Sequence, residues 1–153
     1  MKIRAADHTD AVALVPLFNH WDHPQTEDQV RAILASWSAT PLSQVLVADA
    51  GTAVAGMAAV SAAPRLADLG RNATLAGLVV VPDYQRRGVA GLLLGAAEDL
   101  ARGWGCARLE LTSSRDRAAA HQLYPSRGYQ ETSKNQARYV QVLRDATALV
   151  GVP

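Results

Sequence analysis

Cysteine is nearly absent from this chain. Cys106 stands alone among 153 residues, which excludes an intramolecular disulfide and suits a reducing cytoplasm. An excess of charge of one sign is also missing. Fifteen Lys and Arg against fourteen Asp and Glu leave a formal net charge of +1, so nothing draws the whole surface to nucleic acid or to an anionic membrane. Long apolar runs are lacking as well. Candidate runs such as residues 75–81 and 92–97 are closed by Pro82 and by Glu98 and Asp99, well short of the roughly 20 residues that a membrane helix needs. The first residues, Met1-Lys2-Ile3-Arg4, put charge where a secretion signal requires apolar side chains, so none is expected. No internal repeat or low-complexity linker interrupts the pattern.

What is present is ordinary globular material. The sequence is 49% hydrophobic and 19% charged, and a chain of this size buries roughly 70% of the surface it exposes when unfolded. It reads as one domain over residues 1–145, with residues 146–153 a short apolar tail that the pattern does not place.

The apolar period divides that domain into elements. Residues 2–6 alternate as a strand. Asp7 or Thr9 then caps a helix whose apolar face includes Val12, Val15, Leu17 and Phe18. His20-Trp21-Asp22-His23-Pro24 breaks it, and Thr26-Glu27-Asp28-Gln29 is a capping-box signature for a second helix carrying Val30, Ile33, Leu34 and Trp37. Residues 45–48 and 54–61 form a hairpin about Asp49-Ala50-Gly51, and residues 64–71 form a loop. Residues 74–81 read as a strand buried on both faces. Residues 88–102 are the strongest helix, with Val89, Leu92, Leu93, Ala96 and Leu100 on one side and Gly103 and Gly105 as its stop. A strand at 107–111, a helix at 115–124 and a final pair of strands at 129–132 and 138–143 complete the order. That order, β-α-α-β-β-β-α-β-α-β-β, describes a mixed α/β (α+β) sheet with helices packed on it.

Chemistry concentrates where the buried strand meets the strongest helix, in Val79-Val80-Val81-Pro82-Asp83-Tyr84-Gln85-Arg86-Arg87-Gly88-Val89-Ala90-Gly91. A helix that opens on a glycine-bearing turn presents unpaired N–H groups and the positive end of its dipole to an anion. Gly88, Ala90 and Gly91 remove side-chain bulk, and Arg86 and Arg87 add charge beside them. Two nucleotide motifs fail on residue identity. The chain has no Gly-Lys pair for a P-loop, and the spacing of Gly88, Ala90 and Gly91 does not match the dinucleotide fingerprint.

Leu78-Val79-Val80-Val81-Pro82 followed by Gln85-Arg86-Arg87-Gly88-Val89-Ala90 resembles the acyl-CoA motif of the GNAT superfamily of N-acyltransferases, a strand and then Gln/Arg-x-x-Gly-x-Gly/Ala. The resemblance extends over the element order and is most specific between Leu78 and Tyr129. It implies that the N–H groups from Arg86 through Gly91 hold the pyrophosphate of acetyl-CoA. It also implies that the backbone of Leu78, Val79, Val80 and Val81 pairs with the pantetheine arm as an added strand would.

Ala120-His121-Gln122-Leu123-Tyr124-Pro125-Ser126-Arg127-Gly128-Tyr129 resembles the end of the family's fourth helix, where a tyrosine hydroxyl approaches the sulfur of CoA. Collapse of the tetrahedral intermediate expels a thiolate, and a positioned O–H protonates it, so the resemblance assigns Tyr124 as general acid. An N–H near Val80 is suited to the oxyanion. Two departures stand out. Many relatives carry Asn seven residues before the tyrosine, where this chain has Arg117. Pro125, for its part, removes a donor in the last helical turn and disfavours helical geometry at Tyr124.

The amine must attack uncharged, and many relatives place a glutamate on the strand before the loop. Ala73-Thr74-Leu75-Ala76-Gly77-Leu78 contains no carboxylate. The base candidates are therefore Asp22, Glu110 and His121, with His20, His23 and Asp68 behind them. By the same resemblance the first interhelical loop borders the acceptor, which makes His20, Trp21, Asp22 and His23 substrate-binding candidates. Two histidines flanking Trp21-Asp22 lack a third ligand at known spacing, so no metal is expected. Cys106, without a visible charge partner, reads as a small apolar residue.

The resemblance thus implies a cytoplasmic N-acetyltransferase that moves an acetyl group from acetyl-CoA to a primary amine by direct attack in a ternary complex. The acceptor is a small-molecule amine, slightly favoured because no second domain is visible, or a protein amino group. A CoA-binding regulatory module without catalysis is the rival, supported by Arg117, Pro125 and the absent glutamate. No nucleic-acid or membrane partner is expected, and edges of the final strand pair suggest a homodimer.

Overall fold

The computed structural model describes residues 1–113 and 117–144. β1 (Lys2–Ala5) leads through a 3-10 turn at His8–Asp10 into α1 (Ala11–His20) and α2 (Glu27–Ala39). β2 (Ser43–Asp49), β3 (Val54–Pro64) and β4 (Arg71–Val80) follow, then α3 (Val89–Gly103), β5 (Cys106–Leu111) and α4 (Ala118–Ser126). The five strands form one mixed sheet in the order β1-β2-β3-β4-β5, antiparallel except where β4 meets β5 in parallel. Two compact units divide these elements. Met1–Thr112 holds the whole sheet with α1, α2 and α3, and a second unit, starting at Ser113, carries α4.

Strand alternation gives the sheet of the first unit two covered faces. On one, Leu14, Leu17 and Phe18 of α1 and Val30 and Leu34 of α2 pack with Val45, Val47, Met57 and Val79. On the other, α3 lies across β3 and β4 with Leu93 and Leu94 fully buried. Gly56 marks how close that approach is: a Cβ there would stand 3.0 Å from the Leu93 side chain and 2.7 Å from the Val79 carbonyl oxygen.

The capping box at α2 forms as expected. The Gln29 N–H donates to Thr26 Oγ1 at 3.2 Å, and the Thr26 N–H donates to Gln29 Oε1 at 2.8 Å. A second staple was not foreseen. Arg4 donates to both carboxylate oxygens of Asp10, at 2.8 and 2.9 Å, and through Nε to Asp49 at 2.9 Å, joining β1, the start of α1 and the end of β2. Asp10 is 5% exposed and also accepts the Asp7 N–H at 2.8 Å, so its buried charge is fully engaged.

Four expectations are corrected. Residues 129–132 and 138–143 form no strand; Tyr139, Val140, Val142 and Leu143 are exposed, because an alternating pattern makes a strand only where a ladder partner exists. The strand edges on which a homodimer rested are therefore missing from the described residues. β4 is not buried on both faces: Ala73, Leu75 and Val79 are buried whereas Ala76 is exposed. The buried stripe of α3 is Val89, Leu93, Leu94, Ala97 and Ala101, so Leu92 points outward. In α1, Leu14 takes the core position and Val12 is exposed. In both helices nearly every candidate is apolar, so period alone does not choose the face. The expected helix start at residue 115 and the tail at 146–153 lie outside the described residues.

Leu93→Ala should cost about 2–5 kcal/mol in chemical denaturation, the usual range for a fully buried leucine. The hydrogen bonds from Arg4 hold the Asp10 carboxyl below the usual carboxylate range against the opposing effect of its burial. That stabilisation is complete above the unfolded carboxylate pKa of about 3.9 and is lost as pH falls through the lower folded value. Asp10→Asn should therefore lower stability at pH 7 by roughly 1.5–3 kcal/mol and flatten the decline of stability below pH 4.

Candidate active site

Among the described residues, β4 is paired on both sides only over its first half. β5 accompanies it from Arg71 to Leu75 and ends there at Leu111. At the same point β4 bulges: Val60 pairs with Leu75 but Ala59 pairs with Gly77, which leaves Ala76 as an extra residue. A bulge re-aims the strand and breaks its pairing. Beyond it the Val81 N–H donates to the Ala55 carbonyl at 3.0 Å, toward β3. Successive residues alternate direction, so Val79 also faces β3, and Leu78 and Val80 turn their N–H and C=O groups to the opposite edge. No strand of the described residues follows on that edge.

The chain then crosses a 3-10 turn at Pro82–Tyr84 and enters the loop before α3. Arg86 has φ 60° and Gly88 has φ 82°, both left-handed, and α3 starts at Val89 without a side-chain cap. Such a turn gathers successive N–H groups into a concave anion site at the positive end of the helix. Open space surrounds a Cβ at Gly88, so φ is what requires glycine there. Arg87 stacks its guanidinium 4.9 Å from the centre of the Tyr84 ring and donates to the Asp83 carbonyl at 3.3 Å. Val89 is buried and contributes only backbone, while Ala90 and Gly91 are half-buried.

The loop between α1 and α2 reaches this region. An ideal Cβ on Gly77 would lie 2.8 Å from the Trp21 ring, so the indole rests directly on the β4 backbone next to the bulge. Phe18 and His23 flank that indole at 6.2 and 4.6 Å between ring centres. Gln85 Nε2 donates to the Val80 carbonyl at 3.0 Å and stands 3.2 Å from His20 Nε2. Asp22 is exposed with φ 60°. The structure thus brings His20 and Trp21, from the expected acceptor loop, to Gln85, Val80 and Gly77. The role of Gly77 went unread because a glycine in a strand does not name what covers it.

The other two candidate carboxylates, Glu110 and Asp68, have partners of their own. Glu110 lies opposite Thr74, on the half of β4 that β5 covers, exposed and 3.5 Å from Arg108. Asp68 shapes the β3–β4 loop by accepting the Gly70 N–H at 2.8 Å and pairing with Arg65 at 3.4 Å.

In the second unit, α4 carries His121 and Tyr124 one turn apart. The expected break at Pro125 does not occur. The helix runs on to Ser126, since a proline in the last turn forfeits a single ladder bond. Closure then follows a left-handed Gly128 (φ 89°), with the Tyr129 N–H donating to the Tyr124 carbonyl at 3.0 Å. The two tyrosine rings meet edge to face at 5.6 Å. Burial pushes the Tyr124 phenol above its ordinary pKa, against the charge of Arg117, and so keeps the proton on the oxygen.

Comparison with known proteins identifies the family. The sequence model of the Acetyltransferase (GNAT) family matches residues 10–129. An uncharacterized N-acetyltransferase of Bacillus subtilis (strain 168), YhfO, is 31% identical over 135 residues, covering 86% of this chain and 91% of that protein. An aminoglycoside N(6')-acetyltransferase type 1 of Acinetobacter haemolyticus is 35% identical over 60 residues, 39% of this chain and 41% of its own length. The crystal structure of the apo aminoglycoside antibiotic 6'-N-acetyltransferase AAC(6')-IG of Acinetobacter haemolyticus shares the fold, with a TM-score of 0.77 at 23% identity over 95% of this chain and 100% of that one. The chain belongs to the GNAT family of acetyltransferases, which take their acetyl group from acetyl-CoA.

Proposed function

We propose that this protein transfers acetyl from acetyl-CoA to the primary amine of a small molecule, by direct attack within a ternary complex in the cytoplasm. The observation that carries the reading is the left-handed turn at Arg86 and Gly88, which opens α3 beside the free edge of β4. A pyrophosphate suits the N–H groups of the turn and the first turn of α3. The amides of a pantetheine arm suit the outward N–H and C=O groups of Leu78. Acetyl-CoA supplies an acetyl thioester activated toward amines.

The chain's own groups then divide the work. The Val80 N–H donates to the thioester oxygen as negative charge grows there. Tyr124, kept protonated by its burial, gives its proton to the leaving sulfur. The attacking amine loses its proton to one of the three base candidates, Asp22, Glu110 or His121. His20, Trp21, Asp22 and His23 border the acceptor. A small-molecule acceptor draws support from the similarity to the aminoglycoside acetyltransferase.

A thiol-release assay with aminoglycosides, polyamines, amino acids and a peptide N-terminus tests the reading. The expected result is turnover with at least one small amine. Acetyl-CoA binding with no turnover for any amine would instead establish a non-catalytic module. Tyr124→Phe should lower kcat well over tenfold with acetyl-CoA affinity nearly intact, and an unchanged kcat sinks the general-acid role. Gly88→Val forces a branched side chain into a left-handed turn and should weaken acetyl-CoA binding roughly tenfold or more in calorimetry.

A further inference from the structure

The contact between His20 and Gln85 joins two segments that are 65 residues apart in sequence. Gln85 Nε2 lies within reach of two atoms, the Val80 carbonyl oxygen at 3.0 Å and His20 Nε2 at 3.2 Å. The carbonyl accepts only, so it dictates that the amide nitrogen, not the amide oxygen, points at both. One N–H of the amide goes to Val80 and the other to His20. His20 Nε2 must then be an acceptor, which makes the ring neutral with its proton on Nδ1. While the bridge is intact, neither ring nitrogen is available as a base.

The carbonyl thus held belongs to the same residue whose N–H faces the open edge of β4. Left alone, the Val80 C=O would point at the edge where the acyl chain is proposed to lie. An amide side chain is nearly symmetric, and a turned Gln85 would set its oxygen against the Val80 oxygen. The Val80 carbonyl disfavours that orientation, and His20, accepting the second N–H, anchors the amide in the one that remains.

We infer that His20 is a positioning residue, which acts through Gln85 to fix the Val80 edge and the acyl-CoA loop rather than by exchanging protons with the amine. The inference rests on the proposed function, because it concerns how that site is set. It couples the loop between α1 and α2 to the CoA loop without requiring contact between the acceptor amine and His20.

Binding of acetyl-CoA alone, measured by calorimetry with no amine present, tests it. His20→Ala should weaken acetyl-CoA roughly threefold to tenfold, the scale of one hydrogen bond. His20→Gln, whose amide oxygen can accept from Gln85, should restore most of that loss. Gln85→Ala should weaken binding similarly, and the double variant should be no worse than either single one. In steady state, the loss in His20→Ala should appear in KM for acetyl-CoA more than in kcat. Unchanged affinity in His20→Ala, additive losses in the double variant, or a Gln variant as weak as Ala would each overturn the inference while wild-type binding upholds the functional reading. A wild-type protein that binds no acetyl-CoA overturns both.

Discussion

β4 loses one neighbour halfway along its length, and the rest of the site depends on that loss. Up to Leu75 the strand is held on both sides, by β3 and by β5; past the bulge at Ala76 it keeps β3 alone among the described residues. Backbone N–H and C=O groups carry hydrogen-bonding capacity that folding normally consumes within the sheet. At Leu78 and Val80 that capacity is turned outward along an edge whose spacing suits an extended chain. Sheet edges are ordinarily a hazard for aggregation. Here the edge is short, and Gln85 takes up one of its carbonyls.

Holding half a strand in place requires support from both faces. α1 and α2 press Phe18, Val30 and Leu34 onto Val45, Val47 and Val79, and Trp21 rests on Gly77 where a Cβ would collide. From the other side α3 buries Leu93 and Leu94, and the loop that opens this helix follows directly on the end of β4. Packing therefore supports the turn proposed to bind the anion as well as the core. The turn that connects them costs backbone strain: Arg86 occupies a left-handed conformation that disfavours a side chain by about 1–2 kcal/mol. A rigid framework can sustain such a conformation, and conformations of this kind gather at binding sites.

Much of this was legible in the sequence, for identifiable reasons. The Thr26–Gln29 capping box, the hairpin about Asp49 and the shift from strand to helix between Val81 and Val89 are local signals, written in neighbouring residues. So is the loop from Gln85 to Gly91, where residue identity alone excluded two nucleotide motifs. What escaped is long-range. The partners of Arg4, the contact of Trp21 with Gly77 and the bridge from His20 to Gln85 join residues that no period relates. The bulge at Ala76 is a property of pairing with β3, not of the segment itself. Residues 138–143 have the alternation of a strand but no described partner, and the stripe of α3 was misjudged by choosing Leu92 over Leu94 in a helix apolar on several sides.

Acyl-CoA chemistry on this chain comes down to which amides meet the donor. Amide hydrogen exchange with and without acetyl-CoA, resolved residue by residue, tests that claim most directly. Slowed exchange at Leu78, Val80 and the amides from Arg86 through Gly91, with little change at Val79 and Val81, is the predicted pattern. Protection that spares Leu78 and Val80, or that leaves the start of α3 unchanged while acetyl-CoA is bound, would contradict it.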